Sequence, residues 1–320
     1  IKRVAVLGSG IMGSRIACHF ANIGVEVLLL DIIPKAPNEK ETKKGLSIES
    51  KEVRNRIVND ALNSTLRAKP SPIYDKAFVN RITTGNFDDD LPKIEHYDWV
   101  IEVIIENLEI KQGLYEKVEK YRTPGTLVTS NTSGIPIHLM SDNRSQDFQE
   151  CFAGTHFFNP PRYLRLFEII PGPKTKPEII DFLMNYGDRF LGKETVLCKD
   201  TPAFIANRVG VYAIISAIHT IEKQGLSVSE VDKLTGTIMG RAKSATFRTL
   251  DVVGLDTTVH VANNLYKVLE HDESRDRFKL PKSVQVLNEN KWYGDKSGKG
   301  FFHMIRHEDG RKELKEIDFQ

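Results

Sequence analysis

Short apolar runs alternate with longer amphipathic segments through the first two thirds of the chain. Apolar runs at residues 3–7 and 25–30 flank a helical stretch at residues 12–23, which ends at Gly24. Strand, tight turn, helix and strand in this order are typical of the start of a parallel α/β sheet. Further strands are predicted at residues 82–84, 99–104, 126–129, 152–157 and 165–169.

The pattern changes near residue 198. Before it, residues 38–69 form a polar, basic excursion with helical periodicity over 53–66. After it, Asp200 or Thr201 can cap a helix with Pro202 in its first turn, and an apolar helix is predicted over 204–224. Everything beyond Gly225 has helical periodicity, at 228–234, 255–269 and 282–290. We therefore expect domains at 1–197 and 198–305, followed by a polar tail or linker at 306–320.

Composition excludes several classes of protein. With 40% hydrophobic and 28% charged residues in 320, the chain resembles an ordinary globular protein large enough for two cores. A net charge of +2 gives no global field for nucleic acid, and no apolar run approaches the ~20 residues that span a membrane. Three scattered cysteines indicate reduced thiols, a cytoplasmic location and no metal site.

A glycine-rich turn after the first strand points to a dinucleotide. Gly8, Gly10 and Gly13 match G-x-G-x-x-G, with Ile11 and Met12 between them at the start of the helix. Asp31 ends the next strand, where a carboxylate binds ribose hydroxyls and repels a 2′-phosphate. We predict an α/β, Rossmann-type, mostly parallel sheet that binds NAD rather than NADP, with a second, all-helical domain. The alternative is a structural turn with a surface Asp.

A candidate proton carrier follows the strand at residues 152–157. His156 lies at a strand end before an Asn-Pro-Pro turn, and an imidazole exchanges protons near neutral pH. Glu168 interrupts the next apolar run, and a buried carboxylate requires a partner such as an imidazolium. From this pattern alone, a core histidine and a strand-edge charge explain the residues equally well.

Other polar residues stand where the predicted sheet binds ligands. Ser133 follows the strand at 126–129, although a helix cap explains it more simply. Asn207 is an amide within an apolar helical turn and needs a protein or substrate partner. Glu106 and Lys111 follow the strand at 99–104, where an exposed loop is the alternative.

Seven motifs in register resemble the 3-hydroxyacyl-CoA dehydrogenase family over nearly the whole chain. They are G-S-G-I-M-G at 8–13, I-E-V-I-I-E-N at 101–107, S-N-T-S-G at 130–134, H-F-F-N-P-P at 156–161, D-T-P-A-F-I-A-N-R at 200–208, V-G-L-D at 253–256 and K-S-G-K-G-F-F at 296–302. The resemblance implies reversible, NAD-dependent oxidation of a 3-hydroxyacyl-CoA thioester in fatty-acid β-oxidation.

The same resemblance implies roles for individual residues. His156 matches the catalytic acid/base and Glu168 its orienting carboxylate, while Ser133 and Asn207 match residues that hold the reacting oxygen region of the substrate. The positions that match cofactor contacts are Asp31, Glu106, Lys111, Ser133, Asn159 and Lys296, together with the glycine turn.

The basic excursion and the assembly state stay open. The positive charges of the excursion suit the phosphates of coenzyme A, and the alternative is that they form a solvated face. The basic residues are Lys43, Lys44, Lys51, Arg54, Arg56, Arg67 and Lys69. Long bacterial chains that also carry an enoyl-CoA hydratase resemble this one most, so we expect either a homodimer or a continuation into such a chain. Arg15, where relatives have a small residue, reaches a phosphate or points to solvent.

Two rival functions stay open. One is another β-hydroxyacid dehydrogenase with a catalytic lysine on the interdomain helix, where this chain has no lysine before Lys223. The other is a non-catalytic NAD-binding scaffold protein, which the presence of both His156 and Glu168 disfavours.

Overall fold

A computed structural model describes residues 1–318 as two compact units, Ile1–Phe204 and Ile205–Gln320. The last two residues, 319 and 320, lie outside the described residues, so that part of the predicted tail is not characterised. Among residues 1–318, no helix combines the length and the apolar character that crossing a bilayer requires. All three cysteines are buried as free thiols.

The first unit is built on an eight-stranded sheet in the order β3-β2-β1-β4-β5-β6-β7-β8. Neighbouring strands are parallel except β6 and β7, so β1 to β6 all end at one edge. The strands are β1 (Arg3–Leu7), β2 (Glu26–Asp31), β3 (Ile82–Asn86), β4 (Trp99–Glu102), β5 (Leu127–Ser130), β6 (Phe152–Phe157), β7 (Leu166–Pro171) and β8 (Glu194–Leu197). The predicted Rossmann-type architecture is confirmed.

Helices cover both faces of this sheet. In β1, Val4 and Val6 belong to one buried cluster and Ala5 and Leu7 to the other, which explains why its sequence is apolar throughout. The helices are α1 (Ile11–Asn22), α2 (Glu39–Lys43), α3 (Lys51–Arg54), α4 (Arg56–Arg67), α5 (Leu108–Tyr121), α6 (Ile137–Ser141), α7 (Gln146–Glu150) and α8 (Pro177–Arg189). The edge where β1 to β6 end is the one at which sheets of this kind bind ligands.

The second unit is helical with one β-hairpin. Its helices are α9 (Ala206–Gln224), α10 (Val228–Thr235), α11 (Phe247–Val253), α12 (Leu255–Val268) and α13 (Lys282–Glu289). They enclose a core that includes Ile218, Phe247, Leu250 and Leu287. Gly225 ends α9 in the left-handed conformation that the sequence predicts for a helix stop.

The hairpin is a difference from the expected all-helical domain and polar tail. Strands β9 (Phe302–Arg306) and β10 (Lys312–Glu316) pair antiparallel, and Gly310 forms the turn with a φ of +79°. The second strand is mostly charged, so its composition resembles a linker although its backbone is paired. Ile317 then donates its N–H to the Phe301 carbonyl at 2.9 Å, which ties the segment to the helical core.

Asp200 caps a different helix from the one predicted. Its carboxylate accepts the N–H groups of Ile137 at 2.7 Å and His138 at 3.0 Å, at the start of α6, and contacts the His138 ring at 2.6 Å. Helix α9 itself begins at Ala206 without a side-chain cap. A sequence pattern locates a capping residue, but a cap across 60 residues depends on tertiary contact.

Candidate active site

The turn after β1 requires glycine at two positions and leaves space at a third. Gly8 has a φ of +107°, and a Cβ there would lie 2.6 Å from the Val103 carbonyl oxygen. A Cβ on Gly13 would lie 1.8 Å from the Gly8 carbonyl oxygen, whereas one on Gly10 would meet nothing within 4 Å. The first and last glycines therefore serve backbone packing, and the open space beside Gly10 suits a ligand.

The start of α1 fits the diphosphate of a dinucleotide. Gly10 precedes the helix without a side-chain cap, the first turn carries no acidic residue, and Ile11 is largely exposed. Helix N–H groups and the helix dipole therefore favour an anion at this position.

Asp31 shapes the same turn from the end of β2. Its carboxylate accepts the Ser9 N–H at 2.6 Å, the Ser9 hydroxyl and the Ile32 N–H at 2.7 Å. A carboxylate has about four acceptor sites, so capacity remains for a ribose hydroxyl. Both the turn and this carboxylate fit NAD.

His156 and Glu168 form a buried pair across the antiparallel junction of β6 and β7. They stand directly opposite each other in the strand register, and Nδ1 of His156 donates to Oε2 of Glu168 at 2.7 Å. The exposed fractions are 4% for His156 and 0% for Glu168. The rings of Phe158 and Phe204 lie 4.4 and 5.9 Å from the imidazole. With Nδ1 directed at the carboxylate, Nε2 is the nitrogen that can exchange a proton with a substrate.

Glu106, Lys111 and Ser133 come together where β4 and β5 end. Oε1 of Glu106 accepts the Thr132 hydroxyl and the Ser133 N–H at 3.0 Å, and its Oε2 lies 3.3 Å from Nζ of Lys111. Burial raises the pKa of Glu106, but the Lys111 charge and these hydrogen bonds more than offset it, so the pKa lies below its usual value. An ionised carboxylate therefore holds the Ser133 backbone in place.

A second carboxylate, Glu102, supports this corner; it belongs to the motif at residues 101–107, although the sequence assigned it no role of its own. It is fully buried and accepts from Nζ of Lys111, the Tyr115 hydroxyl and the Ile104 N–H at 2.7 Å each, and from the Ser130 hydroxyl at 2.5 Å. An acid as the last residue of an apolar strand, nine positions before a lysine, was a pattern that could have indicated it. Four donors make this carboxylate a fixed part of the sheet edge.

Asn159 and Arg15 contact each other, because the Arg15 guanidinium donates to Oδ1 of Asn159. The Arg15 side chain therefore does not simply point to solvent, which was one of the two positions expected for it. Its contact with a cofactor phosphate, the other expectation, stays a prediction. Nearby, Oδ1 of Asn131 accepts the Phe157 N–H at 2.9 Å, which joins the loop after β5 to the end of β6.

The charges of the basic excursion are partly paired within the unit. Arg54 forms a two-bond contact with Asp89 at 2.7 Å, Arg56 pairs with Glu41, and Lys44 lies 3.4 Å from Glu52.

Asn207 and Lys296 belong to the second unit. Asn207 is half-buried on the first turn of α9 and lines a cleft within that unit. Lys296 is partly exposed and pairs with Asp256 near the Tyr293 ring. In residues 1–318, no group of three or more His, Cys, Asp or Glu side chains could hold a metal ion.

Two family models match this chain in sequence. The NAD binding domain of 3-hydroxyacyl-CoA dehydrogenase matches residues 3–201, and the C-terminal domain of the same family matches residues 204–304. The first match agrees with NAD as the predicted cofactor. Together the two matches cover most of the chain.

Relatives carry the same name. A Bacillus subtilis protein named "Probable 3-hydroxyacyl-CoA dehydrogenase" is 49% identical over 302 residues, covering 94% of this chain but 38% of that protein. A Deinococcus radiodurans protein of the same name is 44% identical over 312 residues, covering 97% of this chain and 85% of that protein. The solved 3-hydroxybutyryl-CoA dehydrogenase of Escherichia coli superposes with a TM-score of 0.71 at 26% identity, over 94% of this chain and 59% of the other. Both domains of the chain thus belong to the 3-hydroxyacyl-CoA dehydrogenase family, an assignment that confirms the resemblance drawn from its motifs.

Proposed function

We propose that the chain catalyses the reversible, NAD-dependent oxidation of 3-hydroxyacyl-CoA thioesters to 3-ketoacyl-CoA thioesters, as in fatty-acid β-oxidation. The observation that carries the proposal is the buried His156–Glu168 pair, which lies at the sheet edge that also holds the glycine turn. The carboxyl ends of parallel strands are where such sheets bind ligands. The imidazole and the dinucleotide site therefore share one edge of one sheet.

Proton transfer is the task of His156 in this proposal. NAD, when bound, accepts the hydride from C3 of the substrate. Nε2 of His156 takes the proton of the 3-hydroxyl, and Glu168 stabilises the resulting imidazolium through Nδ1. Phe158 and Phe204 flank the ring and limit access of water to it. In the reverse direction the imidazolium returns the proton to the forming alkoxide.

The remaining predicted site residues are assigned by their positions. Gly8, Gly10, Ile11, Met12 and Gly13 form the diphosphate site, and Asp31 binds the ribose. Further cofactor contacts are assigned to Glu106, Lys111, Ser133, Asn159 and Lys296. Ser133 and Asn207 are assigned to the reacting oxygen region of the substrate.

The partner proposals concern the rest of the molecule. The chain spans 38% of the Bacillus subtilis relative, which supports a continuation into a longer chain with a further catalytic domain, predicted to be an enoyl-CoA hydratase. A homodimer is the other assembly that the sequence predicts. Analytical ultracentrifugation of the full-length gene product distinguishes them, because a long chain gives one large species and a homodimer gives twice the chain mass. The predicted cytoplasmic location is tested by cell fractionation.

Replacing His156 with glutamine tests the proposed chemistry. Glutamine keeps a polar group but cannot exchange a proton at neutral pH, so NADH oxidation with acetoacetyl-CoA should fall by ~10²–10⁴-fold while NAD binding persists. His96→Gln is a matched control, because His96 also contacts a glutamate, Glu95 at 3.1 Å, but is exposed. The control should retain wild-type turnover.

Two outcomes contradict the proposal. Near-normal turnover of His156→Gln removes His156 from the chemistry. A wild-type protein that binds NADH but does not oxidise it with acetoacetyl-CoA favours a non-catalytic scaffold. The lysine-dependent rival is disfavoured by α9, whose first turn carries Asn207 and Arg208 and whose one lysine is Lys223, in the last turn.

A further inference from the structure

A turn at residues 158–164 leads from β6 to β7 and begins beside the imidazole of His156. The ring of Phe158, the first residue of the turn, lies 4.4 Å from that imidazole. The Pro160 carbonyl accepts two backbone N–H groups from later residues of the turn, at 2.9 and 3.0 Å. A group that holds this turn in place therefore also fixes one side of the surroundings of His156.

Lys193, which directly precedes β8, contacts this turn through its ammonium group. The residue is 4% exposed, and its Nζ donates to the Leu164 carbonyl at 2.8 Å and to the Pro161 carbonyl. Nζ also lies 5.7 Å from the centroid of the Phe157 ring, a favourable position for a cation. A single side chain thus joins the last residue of β6, the turn and the start of β8.

The two oxygens that Lys193 contacts are neutral, so burying its charge is costly. Burial lowers the pKa of Lys193 to about 8, because two carbonyl oxygens replace its hydration shell only in part. A methionine would fill much of the same space without a charge to desolvate. The N–H donors of the ammonium are therefore the property that this position uses.

Charged side chains on the elements around Lys193 do not account for its shifted pKa. The Lys193 charge, after burial, helps to lower the pKa of His19 on α1, and Arg162 of the turn acts on His19 in the same direction. The acids on the neighbouring elements have other contacts: Asp188 of α8 accepts the Thr195 N–H at 3.0 Å, and Glu194 of β8 pairs with Arg165 at 3.0 Å. Burial is the cause of the shift at Lys193 itself.

We propose that Lys193 is a positioning residue, whose ammonium holds turn 158–164 so that Phe158 keeps its place against the His156 imidazole. The inference rests on the proposed function, in which His156 exchanges the substrate proton. Lys193 acts through the turn and not on the substrate. A protonated lysine donates three N–H groups and a neutral one two weaker ones, so the turn is held more firmly while Lys193 is charged.

Replacing Lys193 with methionine removes the donors and keeps the length of the side chain. The kcat for oxidation of 3-hydroxybutyryl-CoA by NAD should fall about tenfold at pH 7, because small displacements around reacting groups cost up to ~10²-fold. Lys193→Arg keeps a cation with donors for both carbonyls and should retain at least about a third of the wild-type kcat.

The pH dependence of kcat separates positioning from packing. In the direction of oxidation the base is the neutral imidazole, which loses activity towards acid pH, so a decrease at alkaline pH reports another group. Wild-type kcat should fall about threefold between about pH 7 and 9.5, as Lys193, with its pKa of about 8, becomes neutral. Arginine stays charged over this range, so Lys193→Arg should lack this decrease. The ratio of wild-type to Lys193→Met kcat should also fall about threefold, a comparison that needs no arginine variant.

Hydrogen exchange measures the turn without turnover. Two N–H groups of the turn bond to the Pro160 carbonyl, so the peptide that contains residues 158–164 reports whether the turn opens. This peptide should exchange about tenfold faster in Lys193→Met than in the wild type at about pH 7.

Arg122→Met is the matched control for removal of a buried cation from the first unit. The Arg122 side chain is 4% exposed and pairs with Asp147. It follows α5 and precedes β5, so it lies at the edge where β5 begins, opposite to the edge where the parallel strand β6 ends. Its kcat per folded molecule, its pH dependence and its exchange in the turn should equal those of the wild type.

The remaining outcomes overturn the inference. A Lys193→Met kcat within about twofold of the wild type, or unchanged exchange in the turn, shows that the ammonium does not position it. An alkaline decrease of equal size in the wild type and both variants shows that another group titrates. A wild type that turns over no thioester refutes the proposed function instead, while the exchange result still decides whether Lys193 holds the turn.

Discussion

Replacing Lys111 with methionine should destabilise the first unit more than any surface change. Nζ of Lys111 lies 2.7 Å from Oε1 of Glu102 and 3.3 Å from Oε2 of Glu106, and the side chains of Lys111 and Glu102 are 1% and 0% exposed. Methionine has a similar length but no charge. The substitution therefore leaves the Glu102 charge buried without its cation.

The structure sets the expected magnitude. Removing one partner of a buried ion pair costs ~3–5 kcal/mol of unfolding free energy, because an uncompensated charge remains. Glu102 keeps three other donors, from Ile104, Tyr115 and Ser130, and hydrogen bonds to a charged group are each worth ~1.5–3 kcal/mol. We therefore expect a loss near the lower limit, about 3 kcal/mol.

Urea unfolding followed by the fluorescence of buried Trp99, in a Trp292→Phe background that removes the signal of the second unit, measures this loss. Lys117→Met, an exposed change on the same helix, is the control and should stay within ~0.5 kcal/mol of the wild type. In the double variant with Glu102→Gln the buried charge is gone, so the second change should restore at least ~1 kcal/mol relative to simple addition.

A loss below ~1 kcal/mol for Lys111→Met would refute the reasoning, because the charge of Glu102 would then not depend on its cation. Strict additivity in the double variant would do the same. Either result would reduce Lys111 to a packing residue and leave its proposed cofactor contact without structural support.

Two further predictions follow from His19 and Asp31. Burial, with a smaller contribution from the Lys193 charge, lowers the pKa of His19 to about 4, so the folded state keeps it neutral while the unfolded chain is protonated below pH ~6.5. Neutral His19 therefore contributes about 3 kcal/mol of stability above pH ~6.5, and this contribution disappears as the pH falls to about 4. The unfolding free energy of His19→Gln should depend less on pH over this range than that of the wild type. An equal pH dependence of the two proteins would contradict this. Asp31→Ser should lower the ratio of kcat/KM for NAD over NADP about tenfold, because a like charge near the 2′-phosphate is removed; an unchanged ratio in steady-state assays would show that Asp31 does not face the ribose.

The elements that the sequence predicts well are those with local causes. The glycine turn, Gly24 and Gly225 stand where the backbone requires a positive φ or close approach, and the structure has turns or helix ends at each. β1 pairs only with parallel strands and is apolar on both faces, so its bounds, Arg3–Leu7, are predicted to the residue. The bounds of β6 (Phe152–Phe157) are also predicted to the residue.

The elements that the sequence does not predict depend on distant contacts. Glu102 has its donors on α5 and β5, and Asp200 caps a helix 60 residues earlier in the chain. The hairpin of β9 and β10 is stabilised by contact with the helical core, which its charged composition does not indicate. Pattern and propensity describe neighbours in sequence, so such contacts are beyond their reach.

The pairing of His156 with Glu168 is fixed by hydrophobic residues on the opposite face of the sheet. In an antiparallel pair, directly opposite residues point to the same face and their sequence neighbours to the other. Phe157 stands opposite Phe167, and their rings pack at 4.3 Å in the buried cluster on that other face. A slip of one residue would separate the two rings and carry the Glu168 carboxylate into that apolar cluster. The aromatic pair therefore holds the imidazole and its carboxylate in register, which explains how two residues from different strands keep a 2.7 Å contact without any local sequence motif that joins them.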